Sequence, residues 1–251
     1  MSSRMEYDFI IIGVGGIGSA ALYWLSRLTG QSATKSKILG IEQFKLGHDN
    51  GSSQDISRII RYMYHDPAYI KLAPGSLETW SEVEEESGIK LVTKTGGVFF
   101  IPNNESHEDV FGEYTKSLDA ENIKYNLMDG IELNRRFPQF NTAEKDITAM
   151  YQKDAGFVNA GLANAVHAQL ARSRGAEILE NTKVVNITKR GNLLDIDTTN
   201  GQFTTGKLIL ATGCWTNDLL KFFDLQVPIT VTQEQVSYFS TPNIREFLPD
   251  K

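Results

Sequence analysis

Apolar runs of strand length alternate with helical stripes at the start of the chain and again after residue 155, while the stretch between carries a different pattern. Tyr7–Ile12 is an apolar, β-branched run that predicts a strand, broken by glycines at 13, 15, 16 and 18, and Ser19–Leu25 then takes helical spacing. Beyond a polar loop, 31–37, Ile38–Ile41 predicts a second strand ending in Glu42. Between Gly47 and Asp55 the period is lost in a Gly/Ser/Asn-rich loop. Asp66–Ser87 places Ile70, Ala73, Leu77, Trp80 and Val83 near one face of a helix and Glu78, Glu82, Glu85 and Glu86 outside it, with a kink or restart expected at Pro74-Gly75. Leu91–Ile101 reads as extended strands, about 105–121 as a polar helix, and Asp129–Glu132 as the start of a short helix that Pro138 stops.

The later pattern returns to strand and helix in alternation. Asn159–Arg174 predicts an alanine-rich helix, and Glu177–Leu179, Lys183–Ile187, Leu193–Thr198 and Gln202–Thr205 predict strands. The last two flank Asn200-Gly201, a type I′ hairpin signal. Lys207–Leu210 reads as a buried strand running into the small-residue turn Ala211-Thr212-Gly213, with Trp215 opening a helix. Gln226–Ser240 alternates apolar and polar residues, which predicts one more extended segment. An α/β fold follows, entered, left for an insertion, and entered again.

The first βαβ unit carries chemistry. Gly13-Val14-Gly15-Gly16-Ile17-Gly18 lies between strand and helix, the setting that makes Gly-x-Gly-x-x-Gly a dinucleotide fingerprint. Gly13 serves the tight turn, Gly15 admits the backbone to a pyrophosphate, and Gly18 lets helix and strand pack closely, while the helix N-terminus supplies partial positive charge. Glu42, followed by Gln43, ends the second strand where a carboxylate accepts ribose hydroxyls and repels a 2′-phosphate, favouring NAD or FAD over NADP. A nicotinamide enzyme would continue its βα array after Glu42. This chain does not.

Composition narrows the class. The 251 residues include 25 Lys and Arg against 31 Asp and Glu, a net charge of −6, so bulk charge excludes a nucleic-acid or anionic-membrane partner. No apolar run reaches the roughly 20 residues of a membrane span, and no signal-peptide core is present, so an intracellular protein is expected. The single cysteine, Cys214, excludes an internal disulfide and is expected as a buried, inert thiol behind the Ala-Thr-Gly turn. His48, His65, His107 and His167 form no metal-ligand pattern, so no metal is expected.

Asn50-Gly51-Ser52-Ser53, then Arg58-Ile59-Ile60-Arg61, Tyr64 and Pro67-x-Tyr69, together resemble the flavin-proximal segment of the sarcosine oxidase and pipecolate oxidase family, FAD-dependent relatives of D-amino-acid oxidase. The resemblance implies a Rossmann-type FAD-binding domain in two parts, 1–88 and 151–224, with an inserted α+β substrate domain from 89–150 and 225–251 and a mixed sheet. It implies oxidation of the CH–NH group of a small amino acid such as sarcosine or pipecolate, with dioxygen as acceptor. Arg61 is implied as the carboxylate clamp, Arg58 as a cation beside the flavin ring and Tyr64 as a wall of the active site. The implied FAD ligands are Gly13, Gly15, Gly16, Ile17, Gly18, Glu42, Gln43, Gly51, Ser52, Ser53, Arg58, Val184 through its backbone near the adenine, Thr212, Gly213 and Trp215. Gln54-Asp55 stands where the family commonly has histidine or glycine. A monomer is implied, peroxisomal or cytoplasmic, although Pro249-Asp250-Lys251 is not a peroxisomal tripeptide. Family chains run longer, so the chain reads as a C-terminally truncated member. A D-amino acid, glycine or 2-hydroxy acid substrate stays open, as does a catalytically incomplete FAD-binding fragment.

Overall fold

The N-terminal strand β1 (Met5–Ile12) runs into the glycine turn and helix α1 (Gly16–Thr29), and β2 (Ile38–Ile41) returns parallel to β1 with Phe9 opposite Ile38 and Ile12 opposite Ile41. These elements come from a computed structural model that describes residues 4–30, 35–64, 66–103, 110–142 and 146–249. Contacts divide the chain into two units, Met1–Ile56 with Asn159–Gln235, and Ser57–Val158 with Val236–Lys251.

In the first unit, α5 (Ala160–Ser173) precedes β9 (Glu177–Leu179), β10 (Val184–Arg190), β11 (Leu193–Thr198) and β12 (Gly201–Leu210). The strands form one six-stranded mixed sheet in the order β10-β11-β12-β1-β2-β9. Parallel pairing joins β12, β1, β2 and β9, and antiparallel pairing joins β10, β11 and β12. The alternation of β1 is resolved into two cores. Tyr7, Ile10 and Ile12 pack with Leu39, Ile41, Ile196 and Phe203, and Ile11 packs with Val14, Leu22, Ile38 and Ala171. Helices α1 and α5 contact each other, with the ring of buried His167 stacked 5.6 Å from that of Tyr23.

The second unit holds two three-stranded antiparallel sheets. In one, β8 (Gly156–Val158) lies between β3 (Arg58–Ile60) and β4 (Val92–Lys94); in the other, β7 (Ile147–Gln152) lies between β5 (Gly97–Pro102) and β6 (Asn126–Asp129). Helix α2 (Pro67–Ser87) packs on α3 (Val110–Ala120), and α4 (Gly130–Arg136) follows β6. Ile70, Ala73, Leu77 and Val83 of α2 are buried and its glutamates 78, 82, 85 and 86 are exposed, the face expected from the spacing.

By contact the units part at 56/57, 158/159 and 235/236, with segment 58–60 paired to 156–158 and α2 packed on α3 inside the second unit. Several local expectations change. Helix α2 runs without a break through Pro74, begun by Asp66 capping Ala68 N–H and ended by Gly88 at φ 68°. The β11–β12 turn is not type I′: Thr198 pairs with Gly201, and positive φ falls on Gly201 (141°), not on Thr199 and Asn200. The Asn200 side chain is instead tied to Asn181 O and Thr182 Oγ1. Residues 226–240 form no strand and are exposed throughout, since no described strand pairs with them and their alternation has no face to bury. The expected polar helix is described only from Val110, its earlier part lying outside the described residues. Among the described residues no helix is long and apolar enough to cross a membrane.

His167 is 4% exposed, and burial pushes its pKa down from the ordinary 6.5 to about 4. A base whose folded pKa is depressed contributes stability in full above its unfolded pKa and loses it as pH falls through the folded one. At about 1.36 kcal/mol per unit this amounts to roughly 3 kcal/mol lost between pH 6.5 and pH 4. Urea unfolding across that range is expected to show the loss in the wild type, and a visibly shallower pH dependence in His167→Phe, which keeps the ring against Tyr23 and removes the titrating group.

Candidate functional site

The turn after β1 is built by backbone contact. Gly13 has φ +88°, and a Cβ placed there would lie 2.4 Å from Ala211 O; a Cβ on Gly18 would lie 1.8 Å from Gly13 O. Gly13 N–H donates to Ile41 O and Ala211 N–H donates to Ile12 O, which fastens the turn to the ends of β2 and β12. Helix α1 starts at this turn with Gly15 as its N-cap and no side-chain cap of its own. Ser53 supplies one from the polar loop: Gly16 N–H donates to Ser53 Oγ at 2.8 Å, in space that a Cβ on Gly15 would invade at 2.7 Å.

Glu42 is 5% exposed and anchored by backbone. Its Oε2 accepts Val14 N–H at 2.8 Å, its Oε1 accepts Phe44 N–H at 3.1 Å, and His48 Nε2 lies 3.5 Å from Oε1. The carboxylate thus spans the glycine turn and the loop after β2. It retains lone pairs beyond those two amides for further donors. Phe44 sits between His48 and Trp215, ring centroids 4.7 and 5.6 Å away. On the neighbouring segment, Leu46 N–H and the Arg172 guanidinium hold the Glu180 carboxyl below its ordinary range, with Lys45 adding to the effect.

These parts enclose a groove of about 970 Å³, at the upper end of the roughly 300–1,000 Å³ of small-molecule sites. Of the residues expected around a dinucleotide, Gly13, Gly15, Glu42, Gln43, Gly51, Ser52, Ser53, Val184, Thr212, Gly213 and Trp215 line it. Gly16 faces Ser53 rather than the groove, Gly18 is buried against Gly13, and Ile17 is 77% exposed on the first turn of α1, so these three are not among its lining residues. Cys214, expected buried, is exposed and lines the groove, because the turn into the short helices after β12 leaves it outside the core.

Arg58, Arg61 and Tyr64 belong to the second unit. Arg58 is in β3 opposite Val158, and Arg61 follows that strand with its guanidinium carbon 5.5 Å from the centre of the Tyr64 ring, which stacks on Tyr69 at 5.5 Å. Tyr62 N–H donates to Gln152 Oε1, and the Tyr62 hydroxyl pKa is pushed up by burial, then by Asp154 and Glu78. Among the described residues no three His, Cys, Asp or Glu side chains gather as a metal set; His65 and His107 lie outside those residues.

The sequence reading missed one wall. Gly161, Asn164, Ala165, Ala168, Gln169 and Arg172 of α5 line the groove, and Lys45, Leu46, Glu180 and Thr182 join them. The signal was a stripe of small and polar residues at helical spacing, 161, 164/165, 168 and 172, set in a helix chosen for its alanines.

The groove fits a dinucleotide on structural grounds. Its turn is pared to glycine where backbone must approach, its helix N-terminus lacks a local cap, and its buried carboxylate keeps acceptor capacity. The glycines differ in task, and substitution is expected to separate them. Gly18→Ala drives a methyl into backbone and is expected to cost about 3 kcal/mol, at the upper end for overpacking. Gly15→Ala meets only the Ser53 hydroxyl and is expected to cost about 1 kcal/mol, one hydrogen bond. Thermal melts of the two variants check the order; equal losses would contradict it.

Known proteins resemble this chain in sequence and in fold. The monomeric sarcosine oxidase of Streptomyces avermitilis is 35% identical over 237 residues, 94% of this chain and 58% of that protein. The peroxisomal sarcosine oxidase of Homo sapiens is 27% identical over 243 residues, 97% of this chain and 58% of that protein. In fold, glycine oxidase from Geobacillus kaustophilus is similar with a TM-score of 0.76 at 23% identity, covering 89% of this chain and 60% of that one. The chain therefore spans about 58% of the length of those two sarcosine oxidases. The FAD-dependent oxidoreductase (DAO) family pattern matches residues 8–250, and the chain belongs to that family.

Proposed function

We propose that this chain binds FAD in the first unit's groove and serves an oxidase of small amino acids of the sarcosine or pipecolate kind. The observation that carries the reading is the groove itself, where glycine turn, Glu42 and the Ser53 loop meet. Gly13, Gly15, Ser52 and Ser53 would hold the pyrophosphate, Glu42 the ribose, and Val184 the adenine side, with Gln43, Gly51, Thr212, Gly213 and Trp215 completing the walls.

The chemistry that FAD supplies when bound is oxidation of the C–H bond beside the amine nitrogen, with the electrons passed to dioxygen to give hydrogen peroxide. The residues do the rest. Arg61 would grip the substrate carboxylate through the planar fork of its guanidinium, steadied by the Tyr64 face, and Arg58 would place a second cation beside the flavin ring. Tyr64 would wall the substrate. A monomer fits the name of the bacterial relative, and a peroxisomal setting, the one named for the human relative, fits a protein that releases peroxide.

Purified protein is expected to carry or take up FAD, seen as flavin bands in the visible spectrum, and to release peroxide with sarcosine or pipecolate in a panel that includes glycine, D-amino acids and 2-hydroxy acids. Arg61→Met is expected to raise KM for the carboxylate substrate by about 10- to 100-fold, the value of a charged hydrogen-bonded grip. A colourless protein that refuses added FAD overturns the cofactor reading. Exclusive turnover of a 2-hydroxy acid overturns the amine reading.

A further inference from the structure

Asn164 touches the cofactor-side loop in a way that no glycine motif predicts. Its Nδ2 donates to Ser53 O at 2.8 Å, while its Oδ1 lies 3.8 Å from where a Cβ on Gly16 would sit. A second tie reinforces the first: Gly161 N–H, one turn earlier in α5, donates to Asp55 O at 3.0 Å. The loop is thus docked on α5 at two carbonyls, 53 and 55, and the docking fixes where the Ser53 hydroxyl goes. That oxygen accepts Gly16 N–H, the first amide of α1, at 2.8 Å. A serine hydroxyl has one proton and two acceptor sites, so Ser53 can take the helix amide and still donate to an anionic oxygen in the groove that it lines.

We propose that Asn164 is a positioning residue for the pyrophosphate of FAD, acting through Ser53: it holds the loop so that the Ser53 hydroxyl passes the polarity of the α1 N-terminus on to the phosphates. This rests on the reading of the groove as the FAD site. Asn164 lines the groove as the glycines do, but the role assigned to it runs through Ser53 and needs no contact of its own with the cofactor. The amide is required as a donor. Asp at this position matches it in size and sets a carboxylate oxygen against the Ser53 carbonyl.

The test compares wild type, Asn164→Ala, Asn164→Asp, Ser53→Ala and the double variant Ser53→Ala/Asn164→Ala. FAD affinity is read by flavin fluorescence, and competition with ADP and with adenosine separates pyrophosphate from nucleoside. Asn164→Ala and Asn164→Asp are each expected to weaken FAD and ADP about tenfold and leave adenosine competition unchanged. The double variant is expected to bind FAD no worse than Ser53→Ala alone, as for two residues acting through one contact. Hydrogen exchange at the Gly16 amide, followed without cofactor, is expected to quicken in Asn164→Ala and Asn164→Asp. Equal loss for ADP and adenosine, additive losses in the double variant, or unchanged Gly16 exchange overturns the positioning role. A wild type that binds neither FAD nor ADP overturns the groove reading and the proposal with it, whereas a wild type that binds both while the Asn164 variants match it overturns the proposal alone. If Asn164→Ala melts below the assay temperature, Asn164→Asp decides by the same criteria.

Discussion

The backbone approach of the glycine turn to its own helix and to the end of β12 is the constraint on which the rest of the first unit depends. With 1.8 Å between a Cβ at position 18 and Gly13 O, and 2.4 Å between a Cβ at position 13 and Ala211 O, three chain segments occupy a space that admits no side chain. That approach brings the start of α1 to the carboxyl ends of β1, β2 and β12, where Ile12, Ile41 and Ala211 line the groove. Dispersion and backbone hydrogen bonding hold the site's framework here. The chemistry-bearing side chains are added around it.

A second set of bonds carries the framework outward from Glu42. Its carboxylate ties Val14 to Phe44, its carbonyl accepts Thr182 N–H at 2.8 Å, and its N–H donates to Leu179 O at 2.8 Å. Asn181 N–H then reaches Phe44 O, and Glu180 receives Leu46 N–H. The loop after β2 and the turn after β9 are therefore laced together across more than a hundred residues of intervening chain. The second unit is housed between the Ser53 loop and α5, so β9 still returns beside β2 and α5 still returns to the loop.

What the sequence made legible follows the range of each signal. The strand, glycine turn and helix at 7–29 are legible because hydrophobic period, turn chemistry and helix start agree within a short window. Glu42 is legible by its place after a strand. Asn164 is not, since its meaning depends on a loop 111 residues away, and neither helical spacing nor residue type announces that partner. Two errors have the same root. Alternation at 226–240 carries no information about whether a partner strand exists, and Asn200-Gly201 favours a type I′ turn only while the asparagine side chain is free to serve the turn itself. The expected burial of Cys214 rested on its place behind the small-residue Ala-Thr-Gly turn, whereas that turn leads into the short helices after β12 with the thiol exposed.

The helix starts show how the fold separates stability from binding. Helices α2, α4 and α5 are each capped by a residue of their own, Asp66, Asp129 and Asn159, whose side chains accept amides of the first turn. Such caps are each worth about 1 kcal/mol and close the helix end to other acceptors. Helix α1 departs from that pattern: its N-cap is glycine, its first turn holds no acidic residue, and a hydroxyl from a separate loop takes the first amide. A local aspartate there would stabilise α1 more strongly through its charge, yet it would set a carboxylate against the pyrophosphate of the FAD site proposed above. A neutral hydroxyl held from outside satisfies the amide without that repulsion and keeps a proton to give. The stability forgone at α1 is recovered by its packing against α5, the helix that also holds the loop in place.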